Sequence, residues 1–99
     1  MVTMLARVGE YGFVHNIATG VDRSSTYSSA EIHYRKPDGS VVDKTCDEVD
    51  ASTGDYGYTV EEDFFDTPGR WEAQLTVTGS DGTRKLKSPI VFWIGDDGE

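Results

Sequence analysis

The chain has 99 residues, enough for one hydrophobic core and too few for two; a globule of this length buries roughly 60–70% of the surface that its unfolded chain exposes. Eighteen acidic residues against 9 basic ones give a formal net charge of -9, which opposes docking on a nucleic-acid backbone or an anionic membrane surface. Cys46 is the single cysteine, so no internal disulfide braces the fold, and packing in a reducing cytoplasm has to supply the stability.

From Met1 to Ile17 the apolar positions Val2, Met4, Leu5, Val8, Phe13, Val14 and Ile17 are interrupted by Gly9 and Gly12. This spacing predicts a first strand, a kink and its continuation, with the glycines marking a bulge or a switch between sheets. The start has no basic leader followed by a sustained apolar stretch, and no run approaches the ~20 apolar residues that cross a bilayer, so neither a leader nor a spanning helix is expected. Gly20 to Ser29 is serine-rich and reads as a loop. Ala30, Ile32 and Tyr34 then alternate with Glu31, His33 and Arg35, as in a strand with one wet face. Pro37-Asp38-Gly39-Ser40 is a turn by composition, because proline presets φ, aspartate bonds the backbone ahead and glycine accepts a positive φ.

Val41 to Cys46 leaves that turn as a strand, and the acidic Asp47 to Gly57 reads as a loop. Tyr56, Tyr58 and Val60 alternate in a strand that begins before Gly57. The run Glu61 to Asp66 leads into the turn Thr67-Pro68-Gly69. Beyond it Trp71, Ala73, Leu75 and Val77 alternate with Arg70, Glu72, Gln74, Thr76 and Thr78, and a hairpin turn, Gly79-Ser80-Asp81-Gly82, follows. In the last strand, Ile90 to Ile94, Pro89 implies a bulge or an edge position, and Asp96, Asp97 and Glu99 read as a frayed acidic tail. No segment has helical periodicity. About seven short strands at intervals of about ten residues predict a single all-β domain over residues 1–99, an antiparallel two-sheet sandwich, with a partly open barrel as the other arrangement. Within Gly69-Arg70-Trp71-Glu72-Ala73, Trp71 and Ala73 have the spacing of the aromatic corner residue and the core residue after it in immunoglobulin domains.

Catalytic chemistry finds little to work with. A serine or cysteine nucleophile needs a base within reach, and His15 and His33 are the only histidines. His33 falls on the wet face of its strand, and Cys46 stands beside an acidic loop that raises a thiol pKa. Glu61, Glu62, Asp63 and Asp66 form a contiguous wet run, whereas acid–base catalysis needs two carboxylates in different environments across a cleft. Neither Asp47-Glu48-Val49-Asp50 nor Asp96-Asp97-Gly98-Glu99 has the ligand spacing of a calcium loop. One cysteine and two distant histidines do not make a zinc site, and Gly9, Gly12 and Gly20 do not open a phosphate-binding helix. Strand alternation splits Arg84, Lys85 and Lys87 across two faces. No catalytic, metal or cofactor site is therefore expected.

Surface aromatics are the stronger signal. If Ile90, Phe92 and Ile94 face the core, Val91 and Trp93 face out, and a large apolar pair on an outer face marks a partner interface. Tyr11 and Phe13 join them if the first strand pairs nearby. Tyr27, Tyr56 and Tyr58 offer another use, as an aromatic stripe in a carbohydrate-binding module.

Thr19-Gly20-Val21-Asp22, the segment Ile32-His33-Tyr34-Arg35-Lys36-Pro37-Asp38-Gly39-Ser40, the segment Asp66-Thr67-Pro68-Gly69-Arg70-Trp71-Glu72-Ala73-Gln74-Leu75 with Asp81-Gly82 after it, and the ending Ser88-Pro89-Ile90-Val91-Phe92-Trp93-Ile94 together cover most of the chain. In these features the sequence resembles small immunoglobulin-like structural proteins of tailed bacteriophages, and is similar in particular to the amino-terminal domain of baseplate upper proteins. The resemblance implies a noncatalytic virion component, assembled in the host cytoplasm, present in several copies in a symmetric assembly and bound to other phage structural proteins rather than to nucleic acid or membrane. The longer baseplate proteins carry receptor-binding and trunk segments that this sequence lacks, so an adaptor at the tail, neck or baseplate, or a capsid decoration protein, is the expected role.

Overall fold

A computed structural model describes residues 4–80, 82–85 and 90–95, with no side-chain detail at 83–85. Among the described residues the chain forms nine strands: β1 (Met4–Arg7), β2 (Val14–Ala18), β3 (Tyr27–Arg35), β4 (Val41–Thr45), β5 (Glu48–Asp50), β6 (Asp55–Thr59), β7 (Gly69–Gly79), β8 (Gly82–Lys85) and β9 (Ile90–Gly95). They make two sheets, a large one in the order β1-β9-β7-β3-β4 and a small one in the order β2-β6-β5. β3 takes one flank of β7 along its length. The other flank is shared, with β9 on residues 69–73 and β8 on residues 76–79. The molecule is an all-β, two-sheet sandwich.

Its large sheet is mixed rather than antiparallel throughout, because β1 runs parallel to β9 with a register shift between Met4 and Ala6. A parallel partner lies across the sheet, not across a turn, so no local pattern announces it. The predicted first strand and its continuation are two strands in different sheets. Gly9 and Gly12, both at positive φ, lie in the connection between them, which is the switch of sheets that the glycine pair allowed. Two predicted loops contain strand: β3 begins at Tyr27 within the serine-rich stretch, and β5 lies within the acidic stretch. Pro89, the acidic tail and the side chains of the Arg84, Lys85 and Lys87 cluster lie outside the described residues.

One core fills the space between the sheets. The inner face of β7 supplies Trp71, Ala73, Leu75 and Val77, and β3 supplies Ala30, Ile32 and Tyr34, all buried. Ala73 is opposite Tyr34 in the ladder, so a small side chain faces the largest ring of the neighbouring strand. Tyr34 sits at the centre of an aromatic cluster, with ring centroids of Phe64 at 4.9 Å, Tyr58 at 6.0 Å, Phe92 at 6.3 Å, Phe65 at 6.4 Å and Trp71 at 6.5 Å. Edge-on ring contacts of this kind contribute about 0.5–1.5 kcal/mol each beyond their burial.

Turn chemistry closes the sandwich at its ends. Asp22, Asp38 and Asp50 each accept a hydrogen bond from the backbone N–H and another from the hydroxyl of the serine two residues on, Ser24, Ser40 and Ser52. The first and third of these turns are adjacent, since Arg23 N–H donates to the Ala51 carbonyl at 2.8 Å. Gly54, at φ 79°, has no room for a side chain: a Cβ there would collide with Thr19 Oγ1 and with the backbone of Val21 at 2.7 Å.

Candidate functional site

The outer face of the large sheet is where the surface is least like a solvated strand face. Register sets its layout. Trp93 on β9 stands between Met4 on β1 and Arg70 on β7, and Val91 is opposite Glu72, which in turn is opposite Arg35 on β3. Met4 is 54% exposed, Trp93 40% and Val91 36%. Gly95 closes the patch, because the place its Cβ would occupy is taken by Met4 Sδ at 2.6 Å and approached by Arg7 Cγ at 3.8 Å. Met4 and Arg7 therefore lie across the end of β9, next to Trp93. Arg70 donates to Glu72 Oε2 at 2.7 Å, while among the described residues no carboxylate is within ion-pair distance of Arg7 or Arg35. A shallow cleft of about 190 Å³ adjoins the patch, lined by Arg35, Lys36, Pro37, Gly39, Arg70 and Glu72. Apolar bulk and guanidinium groups thus share one sheet face.

Val91 and Trp93 face out, in phase opposite to the buried Phe92 and Ile94. Tyr11 is exposed on the β1–β2 connection. Phe13 is half-buried, its ring stacked on Phe65 at 6.2 Å and its carbonyl accepting from Val60 N–H. It is Met4 that the register brings to Trp93. Nothing in the local sequence around Met4 signals this, because the neighbour comes from a parallel pairing between opposite ends of the described chain. Tyr27, Tyr56 and Tyr58 do not make an exposed stripe: Tyr56 and Tyr58 are buried, and Tyr27 packs on Tyr56 with centroids 5.9 Å apart.

The reactive residues are dispersed. His15 on β2 is inside the core, 7% exposed, and its Nδ1 is hydrogen-bonded to the Tyr34 hydroxyl at 2.7 Å across the two sheets. Burial drives its pKa down from 6.5 to about 4, and burial also pushes the Tyr34 phenol well above its usual range. His33 is on the opposite side of the large sheet, with Nδ1 2.6 Å from Asp43 Oδ1 and Nε2 3.0 Å from Thr76 Oγ1. Cys46 is buried and its thiol is pushed up to about 12, first by burial and then by Asp47 and Glu31, so it is protonated at neutral pH.

Two of the acidic run are locked to lysines. Glu61 accepts from Lys44 Nζ at 2.8 Å and from the Tyr58 hydroxyl at 2.7 Å, and Asp66 accepts from Lys36 Nζ at 3.1 Å. Those donors hold both carboxyls below their ordinary pKa, although partial burial of Asp66 works against the shift. A general acid needs the opposite shift. Among the described residues no three His, Cys, Asp or Glu side chains converge in a metal-ligand arrangement, and no helix is long and apolar enough to cross a membrane.

No family model, curated protein or solved structure matches this chain. Whatever it does has to be read from its own surface, and the outer face of the large sheet gathers apolar and cationic groups.

Proposed function

We propose that this chain is a noncatalytic structural protein of a tailed-bacteriophage virion, a tail, neck or baseplate adaptor or a capsid decoration module, assembled in the host cytoplasm and acting through protein–protein contact. The observation that carries this reading is the Met4, Val91 and Trp93 patch: three large apolar side chains side by side, on strands held rigid by the ladder beneath them. Tryptophan is enriched at protein interfaces, because it brings a large contact area with little side-chain entropy to lose. The net charge of -9 supports protein rather than nucleic-acid or membrane partners.

The finer immunoglobulin-like assignment is supported by strand order. In sequence, β3, β4, β7 and β9 take the places of the C, C′, F and G strands in one sheet, and β2, β5 and β6 those of B, D and E in the other. Trp71 near the start of β7 donates its Nε1–H to the Thr67 carbonyl at 2.8 Å, which is what the corner tyrosine does in that fold. The buried His15–Tyr34 bond also ties the two sheets together, but between the B and C positions rather than the B and F positions that the immunoglobulin disulfide joins. Carbohydrate binding has less support, because two of the three tyrosines it would use are in the core. The test is Trp93→Ala: the variant folds, and its incorporation into phage particles falls at least tenfold. Native-like incorporation of the folded variant overturns the reading.

A further inference from the structure

We infer that copies of this chain stack face to back, the outer face of the large sheet on one copy receiving the outer face of the small sheet on the next. The inference rests on the reading that the Trp93 surface is an interface, and it names the partner.

Charge is distributed unequally between the two sides of the sandwich. Around its apolar patch the outer face of the large sheet carries Arg7, Arg35 and Arg70 with Glu72 among them, while Glu31 and Asp43 stand on the same face farther along β3 and β4. On the other side, none of the residues of β2, β5 and β6 is Lys or Arg. The ladder there puts Asn16, Gly57 and Glu48 in one row and Ala18, Asp55 and Asp50 in the next, so Glu48, Asp50 and Asp55 share the outer face. Two of these carboxylates are fixed in place: Asp50 accepts from the Ser52 hydroxyl at 2.6 Å and Asp55 from the Thr53 hydroxyl at 2.8 Å. Each retains lone pairs for an arginine fork, which pairs two-pronged with a carboxylate. Val14, exposed on the same face, lies over Gly57 and offers an apolar counterpart to Trp93.

The two surfaces are on opposite sides of one domain, so using one leaves the other open for the next copy. Such a heterologous contact repeats, closing into a ring if its rotation allows and extending if not. Two chains of net charge -9 repel at long range, yet over the ~24 Å thickness of the molecule screening at physiological salt reduces that repulsion to about a twentieth, whereas the arginine–carboxylate contacts act at short range.

Sedimentation velocity of the full chain over a concentration series at physiological salt tests this with two charge-reversed variants. Arg35→Glu with Arg70→Glu makes both faces acidic; Glu48→Arg with Asp55→Arg makes both basic. The native chain associates beyond a dimer, each variant alone associates at least tenfold more weakly, and mixing the two restores a complex. If either reversal disturbs the fold, Arg35→Gln and Glu48→Gln read the same losses at smaller size. A monomeric native chain, a mixture that stays dissociated, or full association of the variant with the basic back (which a symmetric front-to-front dimer predicts) overturns the inference. A monomeric chain whose Trp93→Ala variant still fails to enter particles overturns the stacking and leaves the docking surface standing; loss of both effects removes both.

Discussion

The two tryptophans sit one ladder position apart and have opposite fates. Trp71 pairs with Phe92 in the register, Trp93 with Arg70, and the first is 0% exposed while the second is 40% exposed. Both are on strands of the same sheet, so the difference is one of phase: a single residue step in a strand turns a side chain from the interior to the surface. Trp71 is tied on every side, its ring among Tyr34, Phe64, Phe65 and Phe92 and its Nε1–H on Thr67. Trp93 has Met4 and Arg70 as its ladder neighbours and Val91 two residues away on the same exposed face. The inside of the sheet is where this molecule keeps its fold, and the outside is where its binding is to be sought.

If that division is right, the largest effect on stability comes from Trp71→Ala, expected to lose about 3–5 kcal/mol as the cluster around Tyr34 loses its largest member. For a domain of this class that is a large part of the total, so urea unfolding of the variant should begin near zero denaturant. A loss under 1 kcal/mol would mean that the two tryptophans are not so different.

Next comes acid. Above pH 6.5 the His15 ring is neutral whether the chain is folded or unfolded, and its contribution is at its full value. As pH falls from 6.5 towards about 4 the unfolded chain takes up a proton that the buried ring refuses, and stability drops by about 3 kcal/mol across that interval. The hydrogen-bonded carboxyls, whose pKa values are lowered from ordinary ones near 4, add their own losses as pH falls below about 4.5. Urea midpoints of the native chain should therefore slope between pH 6.5 and 4.5, and those of His15→Gln should be flat there. A flat native profile would place the histidine in contact with water. The smallest effect belongs to Trp93→Ala, expected to change unfolding free energy by no more than about 0.5 kcal/mol, as surface substitutions do. A loss as large as that of Trp71→Ala would make the patch part of the fold, and the surface reading would fail.

The inner face of β7 was legible because period-two alternation over Trp71, Ala73, Leu75 and Val77 has one interpretation. The Pro37–Ser40 turn was legible for the chemistry of its residues, and the outward phase of Val91 and Trp93 followed from Phe92 and Ile94. Other features hid for physical reasons. β5 has three residues, two of them acidic, and only Val49 turned inward, so composition outweighed pattern. Ser28 and Ser29 are exposed on β3, beyond its apolar run, and look like loop. Membership of Met4 in the surface patch depends on a pairing across almost the whole chain. His15 could have been found: it shares the phase of Ile17, which puts it on the core face, but a histidine there reads as polar until its tyrosine partner is seen across the gap.

The parallel pairing of β1 with β9 also governs the order of events as the chain is made. Met4–Arg7 is synthesised more than 80 residues before its ladder partner, Ile90–Gly95. Until the last segment arrives, the flank of β7 at residues 69–73 and the inner side of Ala6 have nothing to close on. Sheet completion therefore waits on the longest chain closure in the domain, the kind of closure that slows folding. A nascent or truncated chain stopping short of residue 90 would expose two bare strand borders, open to pairing with any other chain nearby.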